Sequence, residues 1–228
     1  MEFWPPARAF TPLAVLVSGG LDSGVLLAEA LRVYPVVHPI YVRTGTVWEF
    51  AERRYLRRFL NAVRTPALRP LVELVMPVRD LYAGHWSLTG LGTPADGSPE
   101  DAVYLPGRNV VLLAKALLRC HAEGIPELAT APLHSNPFPD STEDFCDGLA
   151  SAVDLGVRGR VRVLRPYAAM GLAKADVLRR GASLPLRLTF SCIRPTRGRH
   201  CGACNKCGER RRGFGEAGLP DPTAYAAG

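Results

Sequence analysis

The chain has 228 residues, enough for one sizeable core and short of two full domains. Its apolar share is 47%, and no window is long and apolar enough to span a bilayer; the run Leu13 to Val17 is too short for a signal peptide or anchor, so a cytoplasmic protein with no membrane partner is expected. The formal charge of +7 is uneven, because Arg187, Arg194, Arg197, Arg199, Lys206, Arg210, Arg211 and Arg212 crowd one segment against only Glu209, a patch that suits RNA, anionic small molecules or the charge of a thiolate-rich metal site.

Leu13 to Val17 reads as a buried strand, Ser18-Gly19-Gly20 as a tight turn, and Val25 to Leu31 as an apolar-periodic helix capped by Asp22 or Ser23. Glycines allow the backbone to turn sharply and approach a ligand closely. The N–H groups from Val17 through Ser18, Gly19, Gly20, Leu21, Asp22, Ser23 and Gly24, together with the helix N-terminus, form a concave site for a phosphate. Ser18 and Ser23 add hydroxyl donors, and Asp22 can hold magnesium or a donor group. A glycine turn between strand and helix needs no ligand, but six residues agreeing in this context favour phosphate.

Val36 to Val42 predicts a second strand, and a helix follows from about Val47 with Trp48, Ala51, Tyr55 and Phe59 on one face. Glu49, Glu52, Arg53, Arg57 and Arg58 line the other face; Tyr55 and Phe59 read as core, while Trp48 at the helix mouth stays open between core and substrate stacking. Leu71 to Met76 makes a third strand. Pro77 to Leu105, rich in Gly, Pro, Ser and Thr, is a candidate lid. Leu105-Pro106-Gly107-Arg108-Asn109 then turns into the apolar helix Val110 to Leu118, with Asn109 as a good N-cap and Arg108 carrying a guanidinium to the sheet's mouth.

Glu127 to Ala131 is a fourth strand, followed by a loop from His134 to Asp140 where open α/β sheets bind ligands. Ser141 with Asp144 has capping-box spacing and opens a helix to about Leu155, with Cys146 as a small core residue. Val161 to Leu164 is a fifth strand, and a short helix runs from Gly171 to near Gly181. This alternation implies a doubly wound α/β fold with a mostly parallel five-stranded sheet.

Cys192, Cys201, Cys204 and Cys207 are spaced C-x8-C-x2-C-x2-C, which lets tight turns bring four thiolates onto one metal. A structural zinc ion is the preferred occupant, with an iron–sulfur cluster or a redox thiol pair as alternatives.

Ser-Gly-Gly-Leu-Asp-Ser at 18 to 23 resembles the PP-loop of ATP pyrophosphatases, which split ATP to AMP and pyrophosphate while adenylating a substrate. With the cysteine set, Pro-Gly-Arg-Asn at 106 to 109, Phe-Pro-Asp at 138 to 140, Leu-Ala-Lys-Ala-Asp-Val at 172 to 177 and the tail to Tyr225, the chain resembles the 7-cyano-7-deazaguanine synthase family from Leu13 onward. The resemblance implies an adenine nucleotide alpha-hydrolase-like domain over 1–186 and a zinc-binding segment over 187–228 packed on it. It implies a ligase that uses ATP, magnesium and ammonia on a small-molecule carboxylate, 7-carboxy-7-deazaguanine, in queuosine-type biosynthesis.

In that reading Ser18, Asp22, Ser23 and Lys174 are catalytic, Val17 to Gly24 bind ATP, and Arg108, Asn109 and Asp140 bind the acceptor. Nucleic acid is not an expected partner, and a homodimer is a permitted assembly. Two departures concern the substrate side, Arg43-Thr44-Gly45-Thr46 after the second strand and Ser135-Asn136-Pro137 before Phe138. They leave open another carboxylate, small molecule or protein, or a tRNA-modifying role.

Overall fold

The computed structural model describes residues 11–226, so the first ten and last two residues of the two expected segments lie outside it. Five strands, β1 (Leu13–Leu16), β2 (Val37–Arg43), β3 (Val72–Val75), β4 (Glu127–Ala129) and β5 (Arg162–Leu164), form one sheet in the order β3-β2-β1-β4-β5. Every pairing is parallel, in accord with the alternation of strands and helices.

Alternate strand residues face opposite cores. Leu13 and Val15 of β1 and Val37 and Tyr41 of β2 face one core, while Ala14, Ile40 and Val42 face the other. The first core is closed by α1 (Leu21–Val33), α2 (Glu49–Ala62), the short helix α5 (Lys174–Arg180) and α6 (Asn205–Ala217), through Leu26, Phe59, Leu178 and Phe214. The second is closed by α3 (Arg108–Ala122) and α4 (Glu143–Val157), through Leu113, Leu117, Cys120 and Cys146. With helices on both faces the strands are apolar on both sides, which is why they read as continuous apolar runs.

The order in which strands are added reverses at β1, whose neighbours β2 and β4 belong to opposite halves. A crevice opens at the carboxyl end of β1 between the two halves, where such sheets take ligands. The loop Ser18 to Gly20 lies there.

A third cluster lies beyond that end of the sheet, joining Trp48, Val103, Leu105, Phe190 and Ile193 to Cys192, Cys204 and Cys207. The segment expected as a lid contains short helical turns and is fastened to the cysteine region. Asp96 N–H donates to Ala203 O, Asn205 N–H to Pro94 O, and Asn205 Nδ2 to Ser98 O.

Several local expectations shift by a residue or more. The cap of α1 is Gly20 in extended conformation, because the Ser23 hydroxyl turns back to Ser18 and Asp22 turns to a lysine. Gly107 in the left-handed region caps α3, so Asn109 sits inside its first turn. Thr142, accepting from Phe145 N–H, caps α4 because the Ser141 hydroxyl is spent on Phe138 O. Glu49 and Glu52, expected on the solvent side of α2, are both buried.

Candidate active site

The chain leaves β1 at Val17, whose N–H completes the ladder to Ile40 O, and turns through Ser18 to Gly20. Gly19 has φ +77°, and a Cβ there would lie 3.0 Å from Glu52 O, so glycine is required twice over. Ser18 N–H donates to Ser23 Oγ at 3.1 Å, and Gly20 N–H donates to Ser18 Oγ at 3.2 Å. The hydroxyls of Ser18 and Ser23 are 3.1 Å apart, which folds the loop into a closed cup.

Gly24 N–H makes the first bond inside α1, to Gly20 O. The N–H groups of Leu21, Asp22 and Ser23 precede that bond, and they give the cup its positive end. Gly24 itself lies against the Phe59 ring, where a side chain would be crowded at 3.3 Å.

Lys174, the first residue of α5, reaches across from 152 residues away to Asp22 Oδ2 at 2.5 Å. Its ammonium also meets Glu209 Oε1 at 2.9 Å, and Glu209 Oε2 meets Lys206 Nζ at 2.5 Å. Four charges of alternating sign therefore run from the loop to α6. Burial alone would lower the Lys174 pKa, but the two carboxylates outweigh it and hold the ammonium well above its ordinary value. Burial opposes ionisation of Glu209 too, yet Lys174 and Lys206 bring it down to about 2. Asp22 Oδ1 is buried with no hydrogen-bond partner among the described residues. An anionic oxygen lacking a donor beside a cup of backbone N–H groups fits a hard divalent cation such as magnesium.

Glu52, against the outside of the loop, was not legible as a site residue. Its Oε2 accepts from Tyr41 OH at 2.6 Å, and its side chain lines the chamber with Ser18, Asp22 and Arg108. Burial pushes its carboxyl up to about 7 against the pull of Arg108 and the Tyr41 bond.

Arg108, Asn109 and Asp140 meet in the same chamber. Asp140 Oδ2 accepts from Asn109 N–H at 3.1 Å, and Asn109 Nδ2 donates to both Asp140 O and Asp140 Oδ1. Asp140 thus satisfies the first turn of α3, a capping role reached from 31 residues away. Arg108 differs: its Nε is buried without a hydrogen-bond partner among the described residues, and its charge acts on Glu52 through space. Next to it lies a cleft walled by Trp48, Trp86, Tyr104 and Phe138, with Lys206 at one side.

The four cysteine sulfurs lie within 4.8 Å of one another. Cys192 to Cys204 is 3.8 Å and Cys201 to Cys207 is 4.0 Å between sulfurs. Tetrahedral zinc with bonds of about 2.3 Å needs sulfurs about 3.8 Å apart, so the donor set fits that ion. Backbone N–H groups of Arg194 and Cys201 point at the Cys192 sulfur and that of Ala203 at Cys201, an arrangement suited to thiolates.

Part of the basic segment is held by internal partners, although only Arg210 is buried. Arg210 is fully buried and donates to Thr189, Ser191, Thr223 and Leu186 O. Arg211 and Arg212 share Asp96, and Lys206 is paired with Glu209. Arg187, Arg194, Arg197 and Arg199 stay exposed. Among the described residues, no helix is long and apolar enough to cross a membrane.

Comparison with known proteins bears on the whole chain. The "7-cyano-7-deazaguanine synthase" of Anaeromyxobacter sp. (strain Fw109-5) is 38% identical over 92% of this chain and 94% of its own. The protein of the same name from Syntrophobacter fumaroxidans is 32% identical over 92% of this chain and 94% of its own. A 4-thiouridine synthetase solved with RNA and bound ATP overlays with a TM-score of 0.48 at 14% identity, over 91% of this chain and 50% of that one, too distant to bear on function. The family profile described as "Queuosine biosynthesis protein QueC" matches residues 13–218. The chain belongs to the QueC family.

Proposed function

We propose that this protein is an ATP-dependent carbon–nitrogen ligase that converts 7-carboxy-7-deazaguanine and ammonia to 7-cyano-7-deazaguanine. Support comes from the family, from the names of the relatives, and above all from the phosphate cup of Ser18 to Ser23 closed by Lys174. The nucleotide-binding part is residues 1–186, and the metal-binding segment is 187–228.

A carboxylate is a poor electrophile because oxide is a poor leaving group. The acceptor's carboxylate oxygen attacks the α-phosphorus of ATP, the bond to the bridging oxygen breaks, and pyrophosphate leaves with its electron pair. The N–H groups of Gly19 to Ser23 and the hydroxyls of Ser18 and Ser23 receive the charge that builds on it. Lys174 supplies a fixed positive charge there. Asp22 Oδ1 would hold magnesium, which when bound neutralises phosphate charge.

Ammonia then adds to the acyl carbon, AMP leaves, and a proton is lost to give the amide. The amide oxygen then attacks the α-phosphorus of a second ATP, pyrophosphate leaves, and one N–H proton is lost to give the O-adenylated imidate. Loss of AMP and of the remaining N–H proton gives the nitrile, so two ATP are consumed per product. Arg108, with Asn109 and Asp140 behind it, faces the acceptor. Zinc on Cys192, Cys201, Cys204 and Cys207 serves the fold, since four sulfurs leave no open position.

The test is acceptor-dependent release of AMP and pyrophosphate. Asp22→Asn and Lys174→Met should each lower it at least 100-fold, and parental rates in either variant would refute the assignment.

A further inference from the structure

We propose that the cleft between the Trp48–Trp86 pair and the Tyr104–Phe138 pair holds the acceptor's planar ring, with Arg108 at its inner end receiving the acceptor's carboxylate. This rests on the function proposed above and adds where the ring lies and what selects it.

Each wall is an aromatic pair assembled from distant stretches of chain. Trp48 and Trp86 stack with centroids 5.7 Å apart and planes at 29°. Tyr104 and Phe138 stack at 4.8 Å and 21°. Trp48 is buried and anchors its wall, whereas Trp86, Tyr104 and Phe138 are only half-buried and leave part of their rings to the cleft. A flat, electron-rich heterocycle gains from such faces whatever its exact hydrogen-bonding edge. The cleft has a volume of about 220 Å³, room for one bicyclic ring.

Its inner end sets the direction of the ligand. Arg108 lines this cleft and also both chambers at the phosphate cup. The contrast with Arg210 is informative. Arg210 has its donors taken by Thr189, Ser191, Thr223 and Leu186 O, as a structural guanidinium should. Arg108 is not so engaged and keeps an orphaned buried Nε, a cost that an incoming carboxylate would remove. A carboxylate fixed on Arg108, with its ring in the cleft, points at the loop where the α-phosphate must lie. ATP's adenine has no such fit, since it carries no acid for Arg108 and its phosphates must occupy the cup.

Steady-state AMP release, with acceptor and ATP titrated separately, tests the assignment. Phe138→Ala and Trp86→Ala should raise the acceptor KM about 5- to 150-fold, the range for losing one stacked base. KM for ATP should stay near the parental value. Quenching of tryptophan emission by 7-carboxy-7-deazaguanine alone supplies a readout independent of turnover, and Trp86→Phe should reduce it. Turnover with unchanged acceptor KM in both alanine variants overturns the cleft and leaves the activity standing. A rise confined to the ATP KM places adenine in the cleft and overturns the proposal. Quenching that Trp86→Phe reduces, without any turnover, keeps the cleft and overturns the activity; neither quenching nor turnover overturns both.

Discussion

Glu52→Gln isolates what burial of one carboxyl does to the protein. The folded chain raises the Glu52 pKa from 4.5 to about 7, chiefly because the carboxylate loses water, with Arg108 and the Tyr41 hydroxyl offsetting part of that loss. Below pH 4.5 the group is protonated folded and unfolded, and it has no effect on stability. As pH rises through 4.5 the unfolded chain ionises while the folded chain keeps its proton, so stability falls until pH passes 7. At about 1.4 kcal/mol per pKa unit the full loss is about 3 kcal/mol, of which about 2.5 kcal/mol develops between pH 5 and pH 8. Gln keeps an oxygen for the Tyr41 hydroxyl and carries no charge, so the variant lacks this loss. Urea denaturation of both proteins at pH 5 and pH 8 gives a double difference in which thiolate and zinc titration, common to both, cancels. The expected result is a variant that gains about 2.5 kcal/mol on the parent between the two pH values. Parallel pH profiles would show that Glu52 ionises freely and would refute the reasoning.

Two other predictions concern the tail and the helix cap. Elemental analysis should find one zinc per chain, and Cys204→Ser or a strong chelator should unfold the region around Phe190 and Trp48, seen as a red shift of tryptophan emission; a metal-free protein with parental emission and activity would refute it. Asp140→Ala removes the carboxylate that accepts from the Asn109 N–H and from Asn109 Nδ2, leaving only the Nδ2 bond to the Asp140 main-chain O, so thermal or urea melts should show a loss of about 1–2 kcal/mol, with the acceptor KM rising and the ATP KM unchanged; an unaltered melt would show that α3 needs no such cap.

The parts legible in the sequence were those whose physics is local. Leu13 to Val17 reads as a strand because both its faces are apolar, and Ser18 to Ser23 reads as a tight turn into a helix because its glycines and hydroxyls are neighbours in the chain. The cysteines were legible from spacing alone, since short gaps bring sulfurs together whatever surrounds them. What sequence could not supply were choices made by distant partners. Lys174 stood out by resemblance, but that Glu209 and Lys206 extend its ion pair depends on how α6 packs on α5. Glu52 sits among charges on a helical wheel and reads as solvated, until Tyr41 and the loop cover it. Trp48 was undecided at the helix mouth because its partner Trp86 lies in a segment without periodicity. The caps slipped because Ser, Thr, Asp and Asn near a helix start are interchangeable locally, and Asp140 decided the matter for α3 from another loop. The basic tail misled in part, since Arg210, Arg211 and Arg212 serve internal bonds that charge counting does not see.

Conversion of a ring carboxylate to a nitrile by two adenylations is the activity proposed for the site. It is tested most directly by mass spectrometry of a reaction containing the purified protein, 7-carboxy-7-deazaguanine, ATP and ¹⁵N-ammonium. The expected products are 7-cyano-7-deazaguanine carrying one ¹⁵N, an amide that appears first and then declines, and two AMP per nitrile. Hydrolysis of ATP without a nitrogen-labelled product, or a labelled amide that never loses its second oxygen, would contradict it.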